Sequence, residues 1–401
     1  MTDSARTESA QSTSEQRSEP TAQPLGVAIV GCGIIGYNHA RAIASLPGLS
    51  ITAVVDAIPA AALALADEIA GPIGAARPGE FASLADALAD RLVDIVVICT
   101  PSGLHVQLAE EAIEAGKHVV IEKPLDVTMA RARRIRDLAA GAAERGIVVS
   151  VISQHRFDPA SVVVADAAHR GDFGRITSAV ASVAWWRSQE YYDSGTWRGT
   201  WELDGGGAVM NQGVHTVDLL VWFLGQPVEV FAQTALLAHE RVEIEDVAVA
   251  TVRFASGALA VVHATTAAYP GLSVRLQVHG DRGSATIDDD QLAVFATADA
   301  TSAADGAGVV NRAAELVPAT EVAGNDRDPN RFIVGHARQY ADVLAAITDG
   351  RAPGVTVDDA FLSLAVVRAI YLSATLGRQV LVEEVLSGAL GELLVTTGGA
   401  A

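Results

Sequence analysis

The sequence predicts a doubly wound α/β domain with a parallel sheet, followed by an α+β domain built on an open, mainly antiparallel sheet. Three observations lead to this prediction. The chain has 401 residues, which is long for one ordinary domain. Between residues 25 and 150, short apolar runs alternate with helical stretches, as in parallel βαβ units. After residue 176, strands follow one another with few helices between them, which is typical of antiparallel sheets.

The first domain is predicted over residues 25–150. Its strands are nearly unbroken apolar runs, as expected where helices cover both faces of a sheet. They lie at 25–30, 51–56, 93–99, 119–121 and 147–152. Helices fill the intervals: Ser83 and Asp86 open one of them in capping-box spacing, and Gly116 ends another. Residues 1–24 are rich in Ser, Thr, Glu, Gln and Pro, which predicts a disordered tail.

The second domain is predicted over residues 151–385, with a tail at 386–401. A short helix at 161–169 precedes strands at 176–186, 228–234, 247–254, 258–266 and 274–280, and one helix at 214–223 interrupts them. Residues 296–330 have weak periodicity, so we expect a mobile insertion there. Helices at 334–347 and 357–375 complete the domain.

Charge and cysteine content exclude several classes of function. The net charge is −20 and the pI about 4.8, which disfavours nucleic acid and anionic membranes as partners. The two cysteines cannot form a disulfide framework, which fits a reducing compartment. No secretory signal and no apolar run of about 20 residues is apparent. We therefore expect a soluble cytoplasmic protein.

A glycine-rich motif, Gly31-Cys32-Gly33-Ile34-Ile35-Gly36, follows the first strand and opens the first helix. Such glycines permit a tight turn, close approach of a pyrophosphate and close packing of helix on strand, and the helix N-terminus attracts phosphate. Asp56 ends the second strand about 20 residues later, where a carboxylate binds the ribose hydroxyls. The pattern predicts a Rossmann dinucleotide site formed by Gly31, Gly33, Ile34, Ile35, Gly36 and Asp56.

The residues around Asp56 favour NAD over NADP. Asp56 is followed by Ala57, Ile58 and Pro59, with no arginine to hold a 2′-phosphate. A phosphate oxygen ~5 Å from this carboxylate would cost roughly 3 kcal/mol per charge pair at an effective dielectric of ~20.

Two further motifs follow strands of the same sheet, at the edge where a ligand must bind. Thr100-Pro101-Ser102-Gly103-Leu104-His105 follows the strand at 93–99, and Glu122-Lys123-Pro124 follows the next strand. Lys123 is one of only two lysines against 26 arginines. An ammonium shifts its pKa readily and a guanidinium does not, so we infer a functional amine rather than a solvated surface charge.

With two later segments, these motifs resemble the Gfo/Idh/MocA oxidoreductases, the family of glucose–fructose oxidoreductase and inositol dehydrogenase, over roughly residues 25–385. The later segments are Gln154-His155-Arg156-Phe157 and Gly205-Gly206-Gly207-Ala208-Val209-Met210-Asn211-Gln212-Gly213-Val214-His215. The resemblance implies an NAD(P)-dependent dehydrogenase or reductase of a sugar or cyclitol, with Lys123 and His215 as its catalytic pair. Asn211 stands where many members carry Asp, and an amide cannot accept the proton of His215.

These segments complete the predicted site, for which no metal is expected. The catalytic residues are Lys123, His215 and Asn211. The remaining cofactor-binding residues are Thr100, Pro101, His105, Glu122, Lys123 and Arg156. The substrate-binding residues are Lys123, Gln154, Trp185, Tyr192, Trp197, Arg198, Asn211 and His215.

The residues of the Gly205–His215 segment also point to this chemistry by themselves. Asn211 and His215 are four apart, on one face of a helix, and histidine has a suitable pKa to take an alcohol proton near neutrality. Asp218 either orients the His215 ring or is a solvated helix charge, and the sequence leaves both interpretations open.

Six Trp and Tyr residues fall between positions 185 and 201, beside Arg187 and Arg198. Flat rings suit the apolar face of a pyranose, and guanidinium groups bind carboxylates or hydroxyls. The alternative is that the rings form an interface in a homodimer or homotetramer.

The function predicted from these residues is hydride transfer between a ring carbon bearing a hydroxyl and NAD. Two alternatives are a nucleotide-sugar dehydrogenase and a glycoside-cleaving enzyme that oxidises, eliminates and re-reduces with bound NAD. A non-catalytic NAD-sensing regulator is the least favoured, because it would have no need of Lys123 and His215.

Overall fold

A computed structural model describes residues 23–89, 92–195, 197–298, 310–318, 332–391 and 393–397. The predicted tail at 1–24 lies outside the described residues except for Gln23 and Pro24. The chain folds around two sheets, as expected from the sequence.

The first sheet is entirely parallel. Its strands are β1 (Leu25–Val30), β2 (Leu49–Val55), β3 (Gly79–Phe81), β4 (Ile95–Ile98), β5 (His118–Ile121) and β6 (Val149–Val151). Its connecting helices are α1 (Ile34–Ala44), α2 (Pro59–Ala70), α3 (Leu84–Leu88), α4 (His105–Glu114) and α5 (Met129–Ala143). The strand order is β3-β2-β1-β4-β5-β6, which confirms the doubly wound Rossmann prediction.

The strand order reverses between β1 and β4, and this reversal positions the ligand crevice. Val30 of β1 pairs with Ile98 of β4, so the glycine motif and Thr100 leave the sheet side by side. In open α/β sheets, ligands bind beyond the carboxyl ends of the strands at such a switch point. The motifs after β1, β2, β4 and β5 therefore all face one crevice.

The second half begins with α6 (Pro159–Arg170) and forms an eight-stranded sheet. Its strands are β7 (Ile176–Ala184), β8 (Pro227–Ala235), β9 (Val247–Phe254), β10 (Leu259–Thr265), β11 (Val274–Gly280), β12 (Gly283–Asp288), β13 (Gln291–Thr297) and β14 (Val380–Leu381). The order is β13-β12-β11-β7-β10-β9-β8-β14, and only β7 and β10 pair in parallel. The prediction of a mainly antiparallel sheet is confirmed.

The remaining helices are α7 (Gln189–Asp193), α8 (Val214–Leu224), α9 (Ala313–Leu316), α10 (Phe332–Asp349), α11 (Val357–Leu376) and α12 (Val382–Leu386). A single π-helical turn, Val209–Gly213, precedes α8. Alternating burial along β9 and β10 places one face of the sheet on the core.

The structure adds strands that the sequence pattern did not predict, among them β12 and β13, which extend the second sheet beyond β11. β3 and β14 have three and two residues, too few for a recognisable period. The predicted mobile insertion at 296–330 contains the end of β13 and helix α9 within its described parts, and the rest lies outside the described residues. In the predicted tail at 386–401, Leu390 and Val395 pack on the core, and the Thr396 N–H donates to Thr375 Oγ1 at 3.0 Å.

Helix α11 is the central buried helix. It packs on β8 and against α5 and α8, which joins the two halves of the fold. By length and mean hydropathy alone it is the one helix of the described residues that qualifies as a membrane span. Its burial on several sides explains that apolar composition without a membrane, because a helix that is hydrophobic all round also suits a protein core.

A buried ion cluster also joins the two halves. Arg156, which follows β6 and is 4% exposed, donates from Nε and Nη2 to the Asp218 carboxylate of α8 at 2.7 and 2.8 Å. Its Nη1 lies 3.1 Å from Oδ1 of Asp359 in α11. Ser363 Oγ donates to Asp218 as well, at 2.8 Å. A buried charge is tolerated only with such partners, so the cluster requires all three elements in place.

We expect Asp218→Ala to lower the free energy of unfolding by about 3 kcal/mol, because Arg156 would lose its bidentate partner while remaining buried. Urea denaturation followed by circular dichroism measures this change. The matched control is Asp172→Ala, which removes an exposed partner of Arg170 and should cost less than about 1 kcal/mol. Equal losses in the two variants would contradict a structural role for the cluster.

Candidate active site

The glycine motif leaves β1 in close contact with the end of β4. Gly31 has a φ of 100°, and a Cβ atom there would lie 2.7 Å from the Cys99 carbonyl oxygen. Only glycine suits both the conformation and the space. At Gly33, by contrast, a Cβ atom would meet nothing within 4 Å, so the turn into α1 borders open space.

The residues around this space fit a dinucleotide. Gly33 gives α1 no side-chain cap, which leaves the first N–H groups of the helix for a pyrophosphate. Thr100 Oγ1 and Gln154 Oε1 are buried and have no hydrogen-bond partner among the described residues. Buried polar atoms of this kind normally bind something, and both lie in the predicted site.

Asp56 lies beside the motif, as the ribose-binding prediction requires. Its Oδ2 accepts a hydrogen bond from the Cys32 N–H at 2.9 Å, and its Oδ1 accepts one from the Ile58 N–H at 2.8 Å. The carboxylate therefore holds the glycine turn. Burial and the charge of Asp56 raise the pKa of Cys32 to about 12, so its thiol stays protonated.

Glu122 forms the buried base of the crevice. Its Oε2 accepts from the Lys123 N–H at 2.9 Å, and its Oε1 lies 2.8 Å from His39 Nε2 and 3.7 Å from His336 Nε2. Burial alone would raise the pKa of Glu122, but the bonds from His336 and His39 and the charge of Lys123 hold it well below its usual range. His39 Nδ1 in turn lies 2.6 Å from the Tyr340 hydroxyl, which completes the network.

Lys123 extends from this base toward the second domain. A cis peptide bond joins it to Pro124, and its Nζ donates to the main-chain carbonyl of Asn211 at 3.0 Å. Burial lowers the pKa of Lys123, against the opposite influence of Glu122 and Asp204. Lys123 therefore lies between the carboxyl end of β5 and α8, the helix that carries His215.

The amide of Asn211 is held by Asp204. Its Nδ2 donates to Asp204 Oδ1 and to the Gly206 carbonyl, both at 2.9 Å, which leaves Oδ1 as its acceptor. The Gly199 N–H donates to the other oxygen of Asp204 at 2.8 Å. Burial raises the pKa of Asp204. A carboxyl group is thus present beside Asn211, although Asn211 itself is not acidic.

The turn that carries Asn211 is π-helical rather than α-helical. The carboxylate of Glu245 accepts from the N–H groups of Gly207 and Val209, each at 2.9 Å. A Cβ atom at Gly207 would lie 1.7 Å from the Glu245 carbonyl oxygen, so the approach requires glycine. Burial raises the pKa of Glu245 to about 7. π-turns of this kind are frequent at functional sites.

His215 lines a cavity together with Lys123, Pro124 and Ile152. Its ring centroid lies 5.2 Å from that of His155, in an edge-on arrangement. Burial, with the charges of Lys123 and His155, holds the pKa of His215 well below its usual range. The ring is therefore neutral at pH 7 and free to accept a proton.

His155 has the opposite character. Its Nδ1 lies 2.8 Å from Asp158 Oδ2 and 3.2 Å from Asp290 Oδ1, the latter in the turn between β12 and β13. Burial would lower the pKa of His155, but these two carboxylates raise it well above its usual range. Two neighbouring imidazoles thus differ in charge because only one has acidic partners.

Two models of known protein families match the sequence of this chain. The model for the oxidoreductase family with an NAD-binding Rossmann fold matches residues 25–152, and the model for the GFO/IDH/MocA C-terminal domain matches residues 162–286. The chain belongs to the Gfo/Idh/MocA family. This confirms the resemblance inferred from the motifs.

Three relatives show the range of this family. Inositol 2-dehydrogenase of Rhizobium meliloti (strain 1021) is 27% identical over 357 residues, which is 88% of this chain and 97% of the relative. Levoglucosan dehydrogenase of Pseudarthrobacter phenanthrenivorans is 27% identical over 314 residues, 71% and 79% of the two chains. The crystal structure of the WlbA dehydrogenase from Bordetella pertussis, in complex with NADH and UDP-GlcNAcA, has a TM-score of 0.76 at 32% identity and covers 90% of this chain and 99% of its own.

The fold brings most of the predicted Gfo/Idh/MocA site residues to one crevice. Lys123, Asn211 and His215 lie together, and Gly31–Gly36, Asp56, Thr100 and Pro101 border the cofactor edge. Glu122 is buried behind these residues and accepts a hydrogen bond from the Lys123 N–H. Arg198 lies between the rings of Tyr191 and Trp197, with its guanidinium carbon 4.4 Å from each ring centroid.

Three predicted ligands have other roles, because packing turns their side chains inward. His105 is fully buried, with Nδ1 3.0 Å from the Pro124 carbonyl and Nε2 3.1 Å from the Thr100 carbonyl, so it holds two site segments together. Arg156 is occupied by the ion cluster with Asp218. Tyr192 is 6% exposed, and its hydroxyl bonds Thr266 at 2.8 Å.

Both interpretations of Asp218 were wrong. It neither bonds His215 nor faces solvent, because it is 4% exposed and bonded to Arg156, Ser153 and Ser363.

The fold also brings to the site several residues that were not predicted as site residues: His39, His155, Asp158, Asp204, Asp290 and His336. Two signals were available in the sequence, since Asp204 directly precedes the Gly205–His215 segment and His155 lies within Gln154-His155-Arg156-Phe157. His39, His336 and Asp290 are far from the motifs in sequence and carry no local signal.

Two groups in the described residues combine ligand types that bind divalent metals. They are His39, Glu122 and His336, and His155, Asp158 and Asp290. Direct contacts of 2.8 Å already join histidine to carboxylate in each group. Hydrogen bonding accounts for both arrangements.

Because His155 is charged and lies beside His215, replacing it should change the pH dependence of kcat/KM. The pKa of His215 is also influenced by Lys123, Glu122 and His336, but the adjacent ring is that of His155. We expect His155→Gln to raise the pKa of His215, so that the acid limb of kcat/KM for oxidation moves up by roughly one pH unit. Two like charges ~5 Å apart interact by ~3 kcal/mol at an effective dielectric of ~20, and solvent screens part of this.

Asp290→Asn should move the limb in the same direction by less, because it removes only one of the carboxylates that keep His155 charged. His169→Gln, at an exposed histidine, is the control and should leave the profile unchanged. Unshifted acid limbs in both site variants would contradict the electrostatic coupling.

Proposed function

We propose that this protein is an NAD-dependent dehydrogenase that oxidises a ring hydroxyl of a sugar or cyclitol. The observation that carries the proposal is the meeting of Lys123, Asn211 and a neutral His215 at the end of the cofactor crevice. The names of the inositol and levoglucosan dehydrogenase relatives support the same substrate class.

The cofactor would bind along the carboxyl ends of β1, β2 and β4. The N–H groups at the start of α1 suit its pyrophosphate, and Asp56 suits the ribose hydroxyls nearest the glycine turn. Thr100 Oγ1 and Gln154 Oε1 are acceptors without a partner among the described residues. When bound, NAD would supply the acceptor for the hydride that leaves the ring carbon.

His215 is the base in this mechanism. A neutral imidazole accepts the proton of the substrate hydroxyl as the carbon–hydrogen bond breaks. The positive charges of Lys123 and His155 keep the ring unprotonated before reaction. In the reductive direction the same ring would return the proton.

Lys123 stabilises the oxygen on which charge develops. Its ammonium is held at one point by the Asn211 carbonyl, so it meets that oxygen with little reorganisation. Asn211 orients the hydroxyl through Oδ1, since both of its Nδ2 hydrogens are already donated. The proton itself passes to His215, because an amide cannot take it.

A nucleotide sugar is the second candidate substrate. The likeness to a WlbA dehydrogenase whose structure contains UDP-GlcNAcA supports it, at 32% identity over nearly the full length of that chain. The chemistry at Lys123 and His215 would be the same for both candidates. A screen for NADH formation over free sugars, cyclitols and nucleotide sugars would distinguish them.

We expect Lys123→Arg to lower kcat by at least about 10²-fold, although the positive charge is retained. Arginine is longer, planar and permanently protonated, so it does not reproduce an ammonium held on the Asn211 carbonyl. NAD affinity, measured by fluorescence titration, should change little because the pyrophosphate and ribose contacts lie elsewhere.

The other lysine of the chain provides the control. Lys117→Arg makes the same exchange at a residue whose Nζ donates to the Val93 carbonyl at 2.6 Å, away from the crevice, and should retain activity. A Lys123→Arg enzyme within threefold of the parent would refute the proposed mechanism.

Cofactor choice tests the role of Asp56. The parent should use NAD at least about tenfold more efficiently than NADP, because the Asp56 carboxylate repels a 2′-phosphate. Asp56→Asn removes that charge, keeps an acceptor for the Cys32 N–H, and should narrow the ratio of the two kcat/KM values. Equal use of both cofactors by the parent would mean that Asp56 does not select NAD.

A further inference from the structure

Five side chains of the segment between β7 and α8 form an alternating stack of rings and guanidinium groups. The guanidinium carbon of Arg187 lies 4.9 Å from the Trp185 ring centroid and 5.1 Å from that of Tyr191. The guanidinium carbon of Arg198 lies 4.4 Å from the Tyr191 centroid and 4.4 Å from that of Trp197. We call these five residues the guanidinium stack. Two positive charges thus share one phenol ring.

In the described part of the chain, neither arginine of the stack has a carboxylate within ion-pair distance. Arg198 donates from Nη1 to the Tyr191 hydroxyl at 2.8 Å, and Arg187 Nε is buried with no hydrogen-bond partner. Nearby Asp193 is paired with Arg241 instead, at 2.8 Å.

The stack is anchored close to the catalytic residues. The Arg187 N–H donates to the Thr266 carbonyl at 2.9 Å, and its carbonyl accepts from His239 Nε2 at 2.8 Å. Beside Arg198, the Gly199 N–H bonds the same Asp204 carboxylate that holds Asn211. The charge of Arg187 also acts on Lys123, where it lowers the pKa.

Two cations without carboxylate partners, next to a buried ammonium, repel one another. Aromatic faces offset part of this repulsion, because a cation above the face of a ring is attracted to it. Stacking also fixes the planes of the guanidinium groups, so their N–H edges are oriented in advance for a planar or tetrahedral oxyanion. An anion bound at those edges would add to the countercharge of Asp204, the nearby carboxyl group that interacts with Arg198 and Lys123.

We propose that the guanidinium stack binds an oxyanion group of the substrate, so that this enzyme acts on anionic sugars in preference to neutral ones. The group is either a carboxylate on the sugar or a phosphate attached to it, since guanidinium edges accept both. This inference rests on the proposed dehydrogenase function and specifies its substrate class.

The test compares sugars that carry an oxyanion group with D-glucose, which carries none. D-glucuronate against D-glucose tests the carboxylate, and UDP-glucose against D-glucose tests the diphosphate. Affinity is measured in the presence of NAD by quenching of tryptophan fluorescence, which Trp185 and Trp197 should report, and turnover by NADH absorbance. We expect at least one anionic sugar to bind about tenfold or more tightly than glucose, and this preference to weaken as salt is added.

Arg187→Gln and Arg198→Gln should each reduce this preference by about tenfold or more and act mainly on KM for the anionic sugar. The KM for the anionic sugar should rise by more than the KM for the neutral sugar, because only the anionic group loses a countercharge. Arg175→Gln removes the same charge from an exposed side chain and is the matched control. If one of the two arginine variants misfolds, the other still tests the proposal. The salt dependence is measured on the unmutated protein and needs no variant.

Equal binding of charged and neutral sugars by the parent would overturn the proposal, and so would a preference that survives in both arginine variants. If these variants changed only the elution volume on sizing, the stack would be a subunit interface instead. Failure of the dehydrogenase function is distinguishable, because it would abolish NADH formation with every sugar while the fluorescence assay still reports binding of the anion.

Discussion

The active-site architecture depends on one buried carboxylate. Glu122 lies where a lone negative charge would be strongly unfavourable, and it is stabilised by donors from three places: the Lys123 backbone, His39 on α1 and His336 on α10. Because α1 begins at the glycine turn and α10 belongs to the second half of the chain, the need to solvate this charge aligns both with Lys123. Tyr340 on α10 extends the same network to His39.

The two neighbouring imidazoles of the site, His155 and His215, differ in charge and therefore in role. His155 is charged because Asp158 and Asp290 flank it, and that charge helps to keep His215 neutral. Asn211 is an amide at a position where many family members carry Asp. A carboxyl group is nevertheless present there, because Asp204 bonds the amide directly. In the proposed mechanism His215 is the proton acceptor, while Lys123, His155 and Asp204 set charge and orientation.

Local sequence patterns predicted the parts of this site that local backbone geometry determines. The glycine turn, Asp56 at the end of β2 and Lys123 at the end of β5 each follow a strand that its apolar run identifies. Side-chain direction was less predictable. Arg156 occupies a motif position but turns toward α8 and α11, because the charge of Asp218 is buried there.

Residues brought in by long-range packing carried no signal in the sequence. Asp290 reaches the site from the β12–β13 turn, at the far edge of the second sheet, and its backbone adopts a φ of 64°. His336 arrives on α10, more than 200 residues after Glu122. In both cases the residue interacts with a charged group that lies far away in the sequence: Asp290 with His155, and His336 with Glu122. Only the assembled fold shows these pairs.

The near absence of lysine has a practical consequence for chemical labelling. Apart from the α-amino group, amine-directed reagents have two side chains to react with, and Lys117 is bonded to the Val93 carbonyl. Burial makes Lys123 easier to deprotonate, and the unprotonated amine is the nucleophile in acylation and reductive alkylation. Coupling this protein to a dye or a solid support through its lysines therefore has two side-chain sites at most, one of them in the candidate site, whereas reagents for carboxylates have 48 acidic residues to modify.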